Sequence, residues 1–238
     1  MPPLFQADPL SDPTLGLDPE VNPFVTRVRE AARIKSPVVS YGPELADLRG
    51  RWREDMQHRM GCLPQQLVLE IGCHKGGVIV PMAKDYPERA FVACDITFKR
   101  VMTTAERSQT AACTNIHTIY ANAHGIDRVF APGELDGVIT FFPDPWSKKS
   151  RQVGRRLISS AFVDRLLTLL KPGAFFWLKT DNPSYYEEVT GFIAGRLQAL
   201  SAPSELGLKD YLSAYEKKFA DARLPTFSQV WVKTTINH

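Results

Sequence analysis

The chain has 238 residues, of which 44% are hydrophobic and 23% are charged, an ordinary composition for one globular domain with short extensions. The formal net charge is only +3, so any affinity for nucleic acid must come from a local patch. No apolar run reaches about 18 residues and no secretory signal pattern is present, which excludes a transmembrane helix and predicts a cytoplasmic protein. The four cysteines form neither a CxxC pair nor a zinc-ligand spacing, so we expect reduced thiols and no metal.

The first 22 residues are rich in proline and in acidic residues, which predicts a flexible N-terminal tail with little regular structure. Residues 23–238 are predicted to form a single domain with an N-terminal helical extension. In that extension, apolar residues spaced three or four positions apart predict one helix from Leu45 to Met60.

Beyond this extension, short apolar runs alternate with amphipathic segments. The runs predict strands at residues 67–71, 90–94, 116–120, 136–142, 174–179 and 227–235. The amphipathic segments predict helices at residues 78–86, 98–109, 155–170 and 185–200. The alternation predicts an α/β fold, a mostly parallel sheet with helices on both faces.

Polar residues lie at or just after the carboxyl ends of five of the predicted strands. In an open α/β sheet, ligands bind beyond the carboxyl ends of the strands. Any one of these residues could simply cap the next helix, but the set together predicts a binding site. Its members are Glu70, Asp95, Asn122, Asp144 and Asp181.

A glycine-rich turn, Glu70–Gly77, follows the first of these strands. Its glycines permit a close approach of the backbone to a ligand, but the turn lacks the GxGxxG pattern of dinucleotide-binding folds. Asp95, at the end of the next strand, could accept hydrogen bonds from both hydroxyls of a ribose. That arrangement fits NAD and S-adenosylmethionine equally well.

The run Phe141–Trp146 brackets Asp144 with two prolines, which restricts the movement of its carboxylate, and Trp146 offers a face on which a base could stack. A rigid turn anchored by Trp146 is the structural alternative. A basic cluster follows and predicts contacts with an RNA backbone, the alternative being a solvated face. Its members are Lys148, Lys149, Arg151, Arg155 and Arg156.

Together with the segment Ser213–Phe219, these motifs resemble those of the bacterial tRNA (guanine-N7-)-methyltransferases, which are class I S-adenosylmethionine-dependent enzymes. The resemblance covers roughly residues 27–233. It implies a Rossmann-like, seven-stranded fold, S-adenosylmethionine as cofactor, and methyl transfer to N7 of a guanine in the variable loop of tRNA.

The resemblance also implies roles for individual residues. Cofactor contacts fall on Glu70, Gly72, Gly76, Asp95, Asn122 and Asp144, and Asp144 is in addition the catalytic residue. Substrate contacts fall on Lys148, Asp181, Ser213, Tyr215 and Glu216.

The chain departs from the family pattern at two positions. His74 stands at the middle glycine of the turn, where a positive φ would be unfavourable for a histidine, and Ser213 replaces a threonine. Three alternatives stay open: a methyltransferase acting on another acceptor, a non-catalytic RNA-binding module with a decayed cofactor site, and a nucleotide-dependent oxidoreductase, which the missing GxGxxG disfavours. The oligomeric state and the accepted tRNA species are left open.

Overall fold

The structure is a computed structural model that describes residues 39–42, 44–145 and 156–234. The predicted tail therefore lies outside the described residues. The chain divides into two compact units, Met1–Ala131 and Pro132–His238, called the first unit and the second unit below. Among the residues that are described, no helix is both long and apolar enough to cross a membrane.

The first unit is built on four parallel strands in the order β1-β4-β3-β2. Strands β2 and β3 are buried along their whole length, as expected of parallel strands covered on both faces. The elements are β1 (Val39–Tyr41), α1 (Glu44–Asp47), α2 (Trp52–Met60), β2 (Leu67–Ile71), α3 (Ile79–Asp85), β3 (Ala90–Asp95), α4 (Phe98–Thr110), β4 (Ile116–Tyr120) and a 3₁₀ helix (Ala123–Arg128).

The second unit has its strands in the order β5-β6-β8-β7. Strands β5 and β6 pair in parallel, whereas β8 runs antiparallel to both β6 and β7. The elements are β5 (Leu135–Phe141), α5 (Ser160–Leu169), β6 (Leu170–Thr180), α6 (Pro183–Ile193), β7 (Gln198–Leu200), a 3₁₀ helix (Pro203–Leu206), α7 (Ala214–Asp221) and β8 (Phe227–Val232).

The predicted α/β class with mostly parallel pairing is confirmed, and strands β2 and β4 have the predicted bounds. The prediction of seven strands is wrong, since the described residues contain eight. Strands β1 and β7 were not among the predicted runs. Each is three residues long, too short for a recognisable pattern of alternation.

The single helix predicted from Leu45 to Met60 is two helices, α1 and α2, separated by a turn. Gly50 in this turn has a φ of +80°, a conformation that a continuous helix cannot accommodate. The indole of Trp52 donates a hydrogen bond to the Val129 carbonyl (2.9 Å) and anchors the start of α2. The apolar face was nevertheless predicted correctly, because Leu45, Trp52 and Met56 are fully buried.

Two predicted helices are shorter than expected. The helix expected at 155–170 begins at Ser160, because Ser159 caps it by accepting a hydrogen bond from the Phe162 amide (3.2 Å). The helix expected at 185–200 ends at Ile193, and residues 198–200 form β7 instead, since their backbone pairs with β8.

Candidate active site

In the first unit, Glu70 lies near the carboxyl end of β2 and is only 3% exposed. It accepts a hydrogen bond from the Ile79 backbone, but its Oε2 atom has no partner among the described residues. Burial, followed by the negative charge of Asp95, raises the pKa of Glu70 to about 8. A buried oxygen without a partner is costly, so this atom marks a place where a polar ligand group would be favourable.

The turn after β2 brings the backbone to an open surface. Gly72 has a φ of +80°, and a Cβ atom placed there would meet nothing within 4 Å. Gly76 also has a positive φ, +71°, and in addition a Cβ at that position would lie 2.9 Å from Cγ2 of Thr104. The turn therefore leaves space for a ligand at Gly72 and packs tightly at Gly76.

His74 adopts the positive φ that its position in the turn suggested, with a value of +50°. Its N–H donates to Oδ2 of Asp95 (3.0 Å), and its carbonyl accepts from Oγ1 of Thr104 (3.2 Å). Bonds on both sides of the residue hold it in a conformation that histidine otherwise disfavours. The turn is thus formed without the middle glycine.

Asp95 and Asn122 follow the neighbouring strands β3 and β4. Asp95 is 3% exposed and also accepts from the Thr97 amide (2.8 Å), and burial raises its pKa. Oδ1 of Asn122 accepts from the His124 amide (3.0 Å) and caps the 3₁₀ helix. Because β2, β3 and β4 are adjacent and parallel, three of the predicted site residues come to one edge of the first unit.

In the second unit, Asp144 is exposed in the segment after β5. The residue two positions before it, Phe142, has a φ of +52°, although it is bulky and precedes a proline. The Phe142 amide donates to the Lys179 carbonyl (2.7 Å), which holds this conformation. Strained backbone of this kind concentrates at functional sites, which supports the predicted importance of the segment.

Tyr215 lies beside both predicted carboxylates of the second unit. Its hydroxyl donates to Oδ2 of Asp181 (3.5 Å), and its ring packs 5.1 Å from that of Phe142 and 4.8 Å from that of Phe219. Partial burial, followed by the negative charges of Asp181 and Asp144, raises the pKa of Tyr215. The side chain is still 47% exposed, so the arrangement offers an aromatic face next to two acids.

Lys179 is not among the predicted site residues, and it is the most deeply buried cation of the second unit's described residues. Its ammonium donates to Asp210 Oδ1 (2.6 Å), to the Tyr211 carbonyl (2.9 Å) and to both carboxylate oxygens of Glu216 (3.0 and 3.2 Å). A single lysine at the end of the otherwise apolar predicted strand 174–179 was the available signal.

Glu216 also forms a capping box with Ser213 at the start of α7. The Glu216 amide donates to Oγ of Ser213 (3.0 Å), and the Ser213 amide donates to Oε2 of Glu216 (3.3 Å). The carboxylate is therefore buried and fully engaged, which makes Glu216 an anchor for α7, whereas the neighbouring Tyr215 is accessible.

Arg156 was predicted to contact an RNA backbone, but its side chain is only 12% exposed. It donates to the Pro145 carbonyl (2.7 Å), pairs with Glu188 and lies over the ring of Tyr185. Arg156 thereby fixes the end of the segment that carries Asp144. The other predicted residues of this region, Trp146, Lys148, Lys149, Arg151 and Arg155, lie outside the described residues.

The family model that the chain matches and its fold place it among the methyltransferases. Residues 64–227 match the model of a family described as "Putative methyltransferase". The structure is similar to a crystal structure of the 16S rRNA methyltransferase KamB, with a TM-score of 0.55 over 76% of this chain and 92% of that chain. At 15% identity, this likeness shows a shared Rossmann-like fold.

Sequence relatives define the family more narrowly. The tRNA (guanine-N(7)-)-methyltransferase of Geobacillus kaustophilus is 30% identical over 82% of this chain and 91% of its own length. The protein of the same name from Levilactobacillus brevis is 30% identical over 73% of this chain and 80% of its own length. The match to that from Porphyromonas gingivalis is 35% identical but spans about half of each protein, 58% of this chain and 54% of the relative. The chain belongs to the tRNA (guanine-N(7)-)-methyltransferase family.

Proposed function

We propose that this protein is an enzyme that transfers the methyl group of S-adenosylmethionine to N7 of a guanine in tRNA. The observation that carries the proposal is the grouping of Asp144 and Asp181 around the exposed ring of Tyr215. Guanine is a flat base with hydrogen-bond donors on its Watson–Crick edge. Carboxylates accept from such donors, and an aromatic face stacks on the base, so this chemistry suits guanine.

The first unit has the features that a cofactor of this kind needs. Oε2 of Glu70 is buried without a partner, and the backbone at Gly72 is open to a ligand. The oxygens of Asp95 keep acceptor capacity for ribose hydroxyls beyond their present bonds. Asn122 and Gly76 complete the proposed cofactor-binding set. When bound, S-adenosylmethionine supplies a methyl group carried on a sulfonium ion.

The proposed reaction requires no proton transfer to or from the protein at the methyl-transfer step. Guanine N7 has a free lone pair and carries no proton, so no general base is needed. Alignment of the reacting atoms supplies much of the rate. The purine ring becomes positively charged as it is methylated, and we assign Asp144 the role of stabilising that charge. Asp181 and Tyr215 hold and orient the base, while Ser213 and Glu216 support Tyr215 from the first turn of α7.

The direct test is incubation of the protein with unmodified tRNA and labelled S-adenosylmethionine, followed by digestion to nucleosides. Labelled 7-methylguanosine is the expected product. Label in a different nucleoside would indicate another acceptor atom. Cofactor binding without any transfer to tRNA would overturn the proposed substrate.

The role of Asp144 is tested by Asp144→Asn, which keeps the size of the side chain and removes its charge. We expect kcat to fall by about 10²–10³-fold, the usual loss when one electrostatic stabiliser is removed. Asp221→Asn is the matched control, because Asp221 is an exposed acid in the same unit at the end of α7. Equal activities of the two variants would contradict the assignment.

A further inference from the structure

Four side chains that can carry positive charge surround the glycine-rich turn of the first unit. His74 and Lys75 are exposed on the turn itself, and Arg100 and Arg107 are exposed on α4. The Arg107 guanidinium donates to the Lys75 carbonyl (2.8 Å), which ties α4 to the turn. We call these four residues the basic rim.

The three cations of the basic rim disfavour the protonated form of His74. Burial, followed by the positive charge of Arg100, lowers the pKa of His74, and Lys75 and Arg107 add to the effect. Asp95 opposes it and pairs with the Arg100 guanidinium at 3.7 Å, but its carboxylate is buried and also accepts from two backbone amides. One buried carboxylate thus faces a group of exposed cations, and a bound anion on the exposed side would interact favourably with them.

The backbone of the turn adds an independent observation. A residue with a side chain is less stable than glycine at a φ of +50°, and two hydrogen bonds hold His74 in this conformation. The chain thus keeps an imidazole among three cations at a position where glycine would be easier to accommodate.

We propose that the basic rim binds the phosphate backbone of the substrate RNA. The inference rests on the proposed function, since it takes tRNA as the partner. A polyanion matches a surface cluster of cations at the turn better than a neutral ligand does, and Lys and Arg neutralise phosphates with release of counterions. The rim would contribute to affinity for RNA of any sequence and would leave the identity of the methylated base to other residues.

The test compares Lys75→Ala/Arg107→Ala with a control, Lys84→Ala/Arg49→Ala. The control also removes one exposed lysine and one exposed arginine of the first unit, and Arg49, like Arg107, donates to a backbone carbonyl. The affinity for tRNA is measured at several salt concentrations. The slope of log K against log salt should become shallower by about 0.7–0.9 for each lost phosphate contact in the rim variant only.

Two further measurements separate the possible outcomes. The rim variant should bind S-adenosylmethionine as the wild type does in calorimetry, and it should reach the wild-type kcat at saturating tRNA with a raised KM. Lys75→Arg/Arg107→Lys should restore the salt slope, because it retains both charges. A slope equal to that of the wild type, or a loss confined to cofactor affinity, would overturn the proposal.

Different results would overturn the role of the basic rim and the proposed activity. Absence of 7-methylguanosine from the wild type would overturn the activity while leaving the salt dependence of binding intact. Normal methylation with equal salt slopes in the rim and control variants would overturn the rim alone.

Discussion

The ammonium of Lys179 lies 3.0 Å from Oε1 and 3.2 Å from Oε2 of Glu216, and it joins the end of β6 to the first turn of α7 across 37 positions of sequence. The backbone carbonyl of Lys179 also accepts a hydrogen bond from the Phe142 amide. One buried lysine therefore supports both of the segments on which the proposed base-binding residues lie, its side chain holding Tyr215 in place through α7 and its backbone holding the Asp144 segment.

Replacing Lys179 with methionine should destabilise the protein by about 3–5 kcal/mol, because it leaves Glu216 buried without its partner. Urea unfolding measures the loss. Lys171→Met is the control, since the ammonium of Lys171 pairs with Asp136 but is one-third exposed, and its loss should cost less than about 1 kcal/mol. The combined variant Lys179→Met/Glu216→Gln should lose less stability than the sum of its single changes. Strict additivity would show that the two residues do not interact energetically.

Tyr215→Ala should raise the KM for tRNA by about tenfold or more, because stacking of a base on an aromatic side chain is worth about 1–3 kcal/mol. Tyr215→Phe keeps the ring and removes only a long hydrogen bond to Asp181, so it should change KM much less. Steady-state kinetics with tRNA as the varied substrate distinguish the two. If both variants lose affinity equally, the hydroxyl matters and the ring does not.

His74→Gly should stabilise the fold by about 1 kcal/mol through relief of the left-handed conformation. It should also weaken tRNA binding if His74 belongs to the basic rim, while cofactor affinity is maintained or increased. Ala112→Gly is the matched control, with a φ of +55° at the end of α4, and should stabilise the fold without affecting either ligand. Thermal unfolding measures the stability, and calorimetry measures the affinities for tRNA and for the cofactor. Equal tRNA affinities of the two variants would show that His74 does not belong to the basic rim.

Glu70 should make stability depend on pH. Its pKa is about 8 in the folded protein and near 4.5 in the unfolded chain, so the folded state holds a proton that unfolding releases. The stability that the folded protein has with Glu70 protonated is fully present below pH 4.5. It is lost as the pH rises towards and through 8, because the buried side chain must then ionise. Glu70→Gln removes this dependence, so its stability relative to the wild type should increase over the same window. Glu187→Gln, at an exposed position, should show a constant difference, and a constant difference for Glu70→Gln would contradict the raised pKa.

The sequence by itself determined the class of fold, the family and most of the strand-end residues. Parallel strands buried on both faces are mostly apolar runs, which is why the bounds of β2 could be read directly from the chain. The glycine-rich turn and the Pro-Asp-Pro segment are contiguous motifs, so a linear pattern was sufficient to recognise them.

Only the tertiary structure decided which of these residues are accessible. Arg156 and Glu216 look like available charges in the sequence, but Glu188 and Lys179, each more than 30 positions away, engage them. In the same way, residues 198–200 favour a helix locally and form β7 because β8 supplies backbone partners about 30 positions further on. Contacts of this range depend on how strands and helices are brought together, and local residue patterns do not encode them.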